Sequence, residues 1–149
     1  MEYILKNAGA CDVDLIYEWA NDYEVRRNSF NTQQIVYEQH LRWFERLLSD
    51  PMRRLYLCVA EDEPVGSIRL DVEGTEAEIS YMVANGHRGQ GIGTIMLEMI
   101  KEQCTIDYPD VELLKGFVKA ENIASQKAFL HAGYSEADNE DSLEFVYRL

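Results

Sequence analysis

The chain has 149 residues, 46% of them hydrophobic, which is enough for one domain with a sizeable core and too apolar for a disordered chain. A net charge of −13 argues against a general nucleic-acid binder, whose affinity rests on neutralising phosphates. No apolar run approaches the roughly 18 residues of a membrane span, and Met1 to Lys6 lacks the long apolar stretch of a signal peptide. A cytoplasmic protein that contacts no membrane is expected.

Tyr3 to Asn7 reads as a strand. Asp12 can cap a helix with Val13, Ile16, Trp19 and Ala20 on one face. Asn28 to Thr32 is a turn-rich loop, and the stripe Val36, Tyr37, His40, Leu41, Phe44, Leu47, Leu48 predicts a longer helix that Asp50-Pro51 ends. Alternation then predicts strands over Arg54 to Ala60, Val65 to Val72 and Ala77 to Val83, joined by turns at Glu61 to Pro64 and Glu73-Gly74. A glycine-rich turn leads into a helix from Gly91 to about Ile106, with Ile92, Ile95, Met96, Met99 and Ile100 on its face. Leu113 to Val118 is a strand, Asn122 to Ala132 a helix with Gly133 as C-cap, and strands around Tyr134 and over Leu143 to Tyr147 follow. A meander plus one right-handed crossover gives an α+β fold: a mixed, mostly antiparallel sheet flanked by helices, one domain over residues 1–149.

The segment Arg88-Gly89-Gln90-Gly91-Ile92-Gly93-Thr94 is the most informative in the chain. Its alternate glycines let backbone approach a ligand, and the helix that follows aims unpaired N–H groups and its positive dipole end into the turn. That is a phosphate cradle, with Arg88 able to add charge-assisted hydrogen bonds. The missing Gly-Lys-Ser/Thr excludes a P-loop, and the Gly-x-Gly-x-Gly spacing after a third meander strand argues against a dinucleotide fold.

Strand Glu78 to Val83, this turn, and helix Thr94-Ile95-Met96-Leu97 resemble the acetyl-coenzyme A motif of the GNAT acetyltransferases, and Asn122 to Phe129 with Gly133-Tyr134 resembles that family's second motif. The resemblance implies a GNAT fold and acetyl transfer from acetyl-CoA as cosubstrate to a primary amine. It implies that backbone groups of Met82 and Val83 pair with the pantetheine arm and that amides from Arg88 to Thr94 hold the pyrophosphate. It also implies that Asn122 meets pantetheine or its neighbouring backbone and that Lys127 can reach cofactor phosphates. On sequence alone Asn122 is equally a helix cap, which is compatible with that contact, and Lys127 an exposed helix residue. Many members carry Tyr where Phe129 stands, whose hydroxyl protonates the departing thiolate; Phe129 cannot, so water or another hydroxyl must.

For the base, Glu78 and Ser80 alternate with Tyr81, so the three cannot all face the substrate. Tyr81 in the cleft and Glu78 as base are the candidates, Glu78 being alternatively a sheet-face charge paired with Arg69. Six of the 14 Lys and Arg lie between Arg26 and Arg54: either a solvated face or a patch for an anionic second substrate. Trp19, Arg26, Arg27, Asn28 and Trp43 stand in segments that resemble the subgroup acetylating nucleotide-linked amino sugars. Rings that stack and arginines that meet a diphosphate suit that acceptor. The alternative makes Trp19, His40 and Trp43 core residues of two packed helices, the reading preferred for His40. A protein N-terminus or small amine as acceptor, or a non-catalytic acetyl-CoA-binding module, are the rivals. Three His and three Cys form no ligand spacing, so no metal is expected. A homodimer is compatible with everything above.

Overall fold

The computed structural model describes residues 1–137 and 142–149. Strands are β1 (Tyr3–Asn7), β2 (Arg53–Ala60), β3 (Glu63–Glu73), β4 (Glu76–Val83), β5 (Leu113–Val118), β6 (Ser135–Ala137) and β7 (Leu143–Arg148). Helices are α1 (Val13–Ala20), α2 (Tyr23–Asn28), α3 (Tyr37–Ser49), α4 (Ile92–Asp107) and α5 (Ile123–His131). They build one mixed sheet in the order β1-β2-β3-β4-β5-β7-β6. Among the described residues only β4 and β5 run parallel; the other neighbours are antiparallel.

The expected meander is β2-β3-β4. Its first hairpin turns on two residues, Glu61 and Asp62, both at positive φ, the geometry that matches the twist of the flanking strands. The second strand therefore starts two residues earlier than turn composition suggests, with Pro64 opposite Val59 next to a register shift. Period-2 alternation sends the strands' side chains to two separate cores. Tyr56, Cys58, Ile68, Leu70 and Ile79 meet Met96, Leu97, Ile100 and Cys104 of α4 on one face. On the other, Leu55, Leu57 and Val59 meet Ile16 and Trp19 of α1 with Phe44 and Leu47 of α3.

Two local expectations change. Asp12 does not cap α1 with its side chain; it closes a 3-10 turn over Ala10–Asp12, accepting the Gly9 N–H at 2.8 Å. The segment after Asn21 contains α2, which has no buried residue and hence no periodic apolar signal. A cap makes it: Asp22 accepts the N–H groups of Glu24 and Val25 at 3.0 and 3.4 Å.

The α5 side is set by close packing. A Cβ at Gly116 of β5 would stand 2.4 Å from Cζ of Phe129, whose ring also stacks on Phe145 at 5.2 Å and meets Tyr134 edge-on at 5.1 Å. Gly116→Ala should therefore overpack this layer and cost about 1–3 kcal/mol, read as a lower midpoint in thermal or denaturant unfolding. An unchanged midpoint would show that the layer yields freely.

Candidate active site

The site begins with a failure of strand pairing. β4 and β5 are paired only from Glu76↔Leu113 to Glu78↔Lys115. Beyond Glu78, β4 stays with β3 as far as Gly66↔Val83, while β5 stays with β7 as far as Val118↔Leu143. Neither strand can leave its outer partner without losing a ladder, so the sheet splits and the β5-facing edge of Ile79–Val83 is left open. The split widens into a cleft of about 1590 Å³, larger than the roughly 300–1,000 Å³ of a single small-molecule site. There is room for two substrates.

Because the split cuts through the sheet, residues from both faces of β4 reach one space. Glu78, Ser80 and Met82 from one face line the cleft together with Tyr81 and Val83 from the other. The expectation that Glu78, Ser80 and Tyr81 cannot all face the substrate is thus corrected: alternation holds, but the sheet it assumes is not continuous there. The expected pairing of Glu78 with Arg69 is also absent. Arg69 donates to Asp71 at 3.1 Å and to Ser80 at 3.3 Å, and Glu78 has no ion pair among the described residues.

At the upper end of the cleft, Gly89 and Gly91 adopt φ of +78°, a conformation that L side chains rarely take. Gly91 is the N-cap of α4, and the first helical bond is donated by Ile95. The N–H groups of Ile92, Gly93 and Thr94 therefore have no acceptor within the helix. A Cβ on Gly89 or Gly91 would meet no protein atom within 4 Å, so it would project into open space at the cleft wall. Gly93 has a different reason to be small: a Cβ there would sit 3.1 Å from the Tyr81 ring. The turn thus fits a polyphosphate brought close to backbone. Arg88, Ile92, Gly93 and Thr94 line the cleft as well; Gln90, though in the same turn, is exposed and outside the lining.

The opposite wall is α5. Asn122 caps it by accepting the Ser125 N–H at 3.2 Å while lining the cleft, so both readings of that residue are compatible. Lys127 is exposed at the cleft edge. Ser125 is the residue that sequence reasoning passed over. Its Oγ lies 2.8 Å from the Tyr81 hydroxyl, and it precedes Phe129 by one helical turn on the same face. That i, i+4 relation to Phe129 was the available signal. Burial raises the Tyr81 phenol above its ordinary range, so it stays protonated near neutral pH, although the Ser125 contact pulls the other way.

The half of the cleft beneath α3 is basic. Arg42, Arg46 and Arg69 line it with Trp43 and Gln39. Arg69 lies over the Trp43 ring at 5.4 Å and Arg53 at 6.0 Å, which holds the indole plane in place. Among the described residues Arg42 and Arg46 form no ion pair, so their charge is available to a ligand.

Three acceptor residues expected from sequence need correction. Trp19 is 9% exposed in the core between α1 and the sheet, and lies outside the cleft lining. Arg27 lies outside the cleft lining, exposed and paired at 2.8 Å with Glu24. Arg26 does line the cleft, but its guanidinium is committed to its own chain. Nε donates to Ala20 O at 2.6 Å, Nη1 to Asn31 O and Gln33 O at 2.9 and 3.2 Å, and Nη2 to Ser29 Oγ at 3.2 Å. It organises a loop and has little left for a diphosphate. Asn28 and Trp43 do line the cleft. His40 is buried, with Nε2 2.8 Å from Val13 O, as the core reading required.

Phe129 lines the cleft floor with its para carbon directed at Gly116. A tyrosine hydroxyl there would be driven into β5 rather than toward a thiolate. Phe129→Tyr should consequently leave kcat no higher than wild type and lower the unfolding midpoint, an overpacking cost of about 1–3 kcal/mol. A marked rise in kcat would show that the hydroxyl finds a productive position.

Comparison with known proteins agrees with this geometry. The Acetyltransferase (GNAT) domain family matches residues 3–135. The acetyltransferase PseH of Campylobacter jejuni subsp. jejuni is 22% identical over 135 residues, covering 91% of this chain and 84% of that protein. Among solved structures, AAC(6')-Ib in complex with ribostamycin and coenzyme A superposes with a TM-score of 0.86 at 14% identity, over 99% of this chain and 94% of the other. Spermidine N-acetyltransferase from Vibrio cholerae, in complex with CoA and spermine, gives a TM-score of 0.86 at 14% identity, over 98% and 95%. The chain belongs to the GNAT family of acetyl-CoA-dependent N-acetyltransferases.

Proposed function

We propose that the protein transfers acetyl from acetyl-CoA to the primary amine of a nucleotide-linked amino sugar. The observation that carries the acceptor assignment is the wall of Arg42, Arg46 and Arg69 around Trp43, set in a chain of net charge −13. An acidic protein repels an anionic acceptor unless a local patch reverses the potential. The same wall is unsuited to polycations, despite the shared fold with enzymes whose structures hold spermine or ribostamycin. The 22% identity to PseH is in keeping with the subgroup that the first half of the chain resembles.

Acetyl-CoA supplies the acyl group as a thioester. The open edge of β4 at Met82 and Val83 would receive the pantetheine amides as an added strand would. The turn from Arg88 to Thr94 would hold the pyrophosphate through backbone N–H groups and the α4 dipole. Trp43 would stack on a ring of the acceptor while Arg42 and Arg46 meet its diphosphate. Glu78, which lines the cleft and has no ion pair among the described residues, would take the ammonium proton directly or through water. As the C–S bond breaks, the Ser125 hydroxyl would pass its proton to the departing thiolate while taking one from the protonated Tyr81 phenol 2.8 Å away, so that the relay leaves a tyrosinate to be reprotonated from solvent. This pair stands in for the hydroxyl that Phe129 lacks.

Initial rates across UDP-linked amino sugars, polyamines, aminoglycosides and peptide N-termini test the acceptor class. The nucleotide sugars should give the highest kcat/KM; a peptide or polyamine preference would overturn the acceptor while leaving the cofactor argument intact. Arg42→Ala and Arg46→Ala should each raise the nucleotide-sugar KM with acetyl-CoA affinity unaffected. The loss, about 1–3 kcal/mol, is the usual worth of a hydrogen bond to a charged group and should shrink as salt rises. Unchanged KM values in both variants would contradict the basic-wall assignment.

The acid is tested separately. Ser125→Ala should lower kcat by about 10- to 100-fold, within and below the general-acid range, with acetyl-CoA affinity nearly unchanged. Full turnover in that variant would assign thiolate protonation to water.

A further inference from the structure

Arg88 sits in the turn facing the cofactor, yet its guanidinium is already engaged. Nη2 donates to Oδ2 of Asp22 at 2.5 Å, across 66 positions of sequence. The same Oδ2 accepts the N–H groups of Glu24 and Val25 and so caps α2. Burial raises the Asp22 pKa, but the hydrogen bond and charge of Arg88, with the two capping amides, outweigh it and hold the carboxyl below its ordinary value. One ionised carboxylate therefore joins the cofactor turn to a helix of the acceptor half.

The far end of α2 is tied down as well. Nζ of Lys119, in the segment just after β5, donates to the Arg27 carbonyl at 3.2 Å. Arg88 follows β4 and Lys119 follows β5, so α2 is fastened to both lips of the split. From α2, Arg26 reaches forward to Ser29, Asn31 and Gln33 and fixes the loop that carries Asn28, Phe30 and Asn31 into the cleft. As a contribution to stability a partly exposed pair such as Arg88–Asp22 is small. Its consequence is geometric.

We propose that Asp22 is a positioning residue of the transfer reaction, coupling occupancy of the cofactor turn to the order of the acceptor loop. The inference rests on the assignment of the Arg88–Thr94 turn to the cofactor pyrophosphate. A guanidinium has five N–H donors, and the contact to Asp22 uses one of its nitrogens. Nε and Nη1 remain for phosphate oxygens. Phosphate, Arg88, Asp22 and α2 then form one chain of charge-assisted hydrogen bonds, and filling the turn restrains residues 22–35. Coupling of two sites through a shared element is reciprocal, so an ordered loop also favours the bound cofactor.

The test is amide hydrogen exchange with and without coenzyme A, on the wild type, Asp22→Asn and Arg88→Gln. Asn remains a good N-cap, so Asp22→Asn keeps α2 and removes only the charge. In the wild type, coenzyme A should slow exchange across residues 23–35 by about fivefold or more, the lower end of usual coupling strengths. In Asp22→Asn that slowing should disappear while protection of Gly89 to Thr94 by coenzyme A persists. Arg88→Gln should also lose the effect in residues 23–35, which covers the case of a poorly folded Asp22→Asn. Kinetically, Asp22→Asn should raise the acceptor KM at saturating acetyl-CoA, and by reciprocity acetyl-CoA affinity measured by calorimetry should fall by about the same factor as the lost coupling. Slowing of residues 23–35 that survives in both variants, or is missing from the wild type while the turn is protected, would overturn the coupling. Absence of turn protection in the wild type would instead overturn the pyrophosphate assignment.

Discussion

The structure depends on one constraint: β4 cannot keep β3 and β5 together along its whole length. Pairing with β5 stops at Glu78, whereas pairing with β3 runs to Val83. The backbone groups left over at the top of β4 need water or a ligand as partner. An amide-bearing pantetheine arm is such a ligand, and the same divergence leaves room above it for the α4 N-terminus. On the proposed cofactor reading, site and sheet split are one feature, and two of the glycines held at positive φ, Gly89 and Gly91 at +78°, stand at its rim.

The split also decides how the two halves of the chain cooperate. The second half supplies the turn, α4 and α5; the first supplies α2, its loop and the basic wall of α3. Contact between them is polar and sparse over the cleft, through Arg88–Asp22 and Lys119–Arg27, whereas the hydrophobic cores are separated by the sheet. Polar links of this kind contribute little stability but fix relative position, which is what a two-substrate reaction requires. An anionic acceptor of the proposed kind is compatible with the acidic chain because Arg42, Arg46 and Arg69 are gathered at one wall of the cleft.

Much of this was legible in the sequence, and the failures share a cause. The meander, the crossover and the glycine turn are local patterns, and their residues behave as periodicity and φ requirements dictate. Phe129 was recognisable as a departure from the family, but the contact that explains it is with Gly116, thirteen residues away on a strand. Arg26 and Arg27 read as a ligand patch because composition does not say whether a guanidinium folds back on its own carbonyls. Trp19 fell on an apolar helix face that period alone places in a core, and the core is where it lies. Alternation along Glu78, Ser80 and Tyr81 was applied correctly to a sheet that ends as a continuous surface at that point.

A crystal structure with coenzyme A bound tests most directly whether the split between β4 and β5 is the cofactor cleft. Pantetheine amides should pair with the backbone of Met82 and Val83, and the pyrophosphate should lie against the N–H groups of the Gly89 to Thr94 turn. Coenzyme A bound elsewhere, or β4 and β5 paired past Glu78 with the ligand outside them, would contradict it.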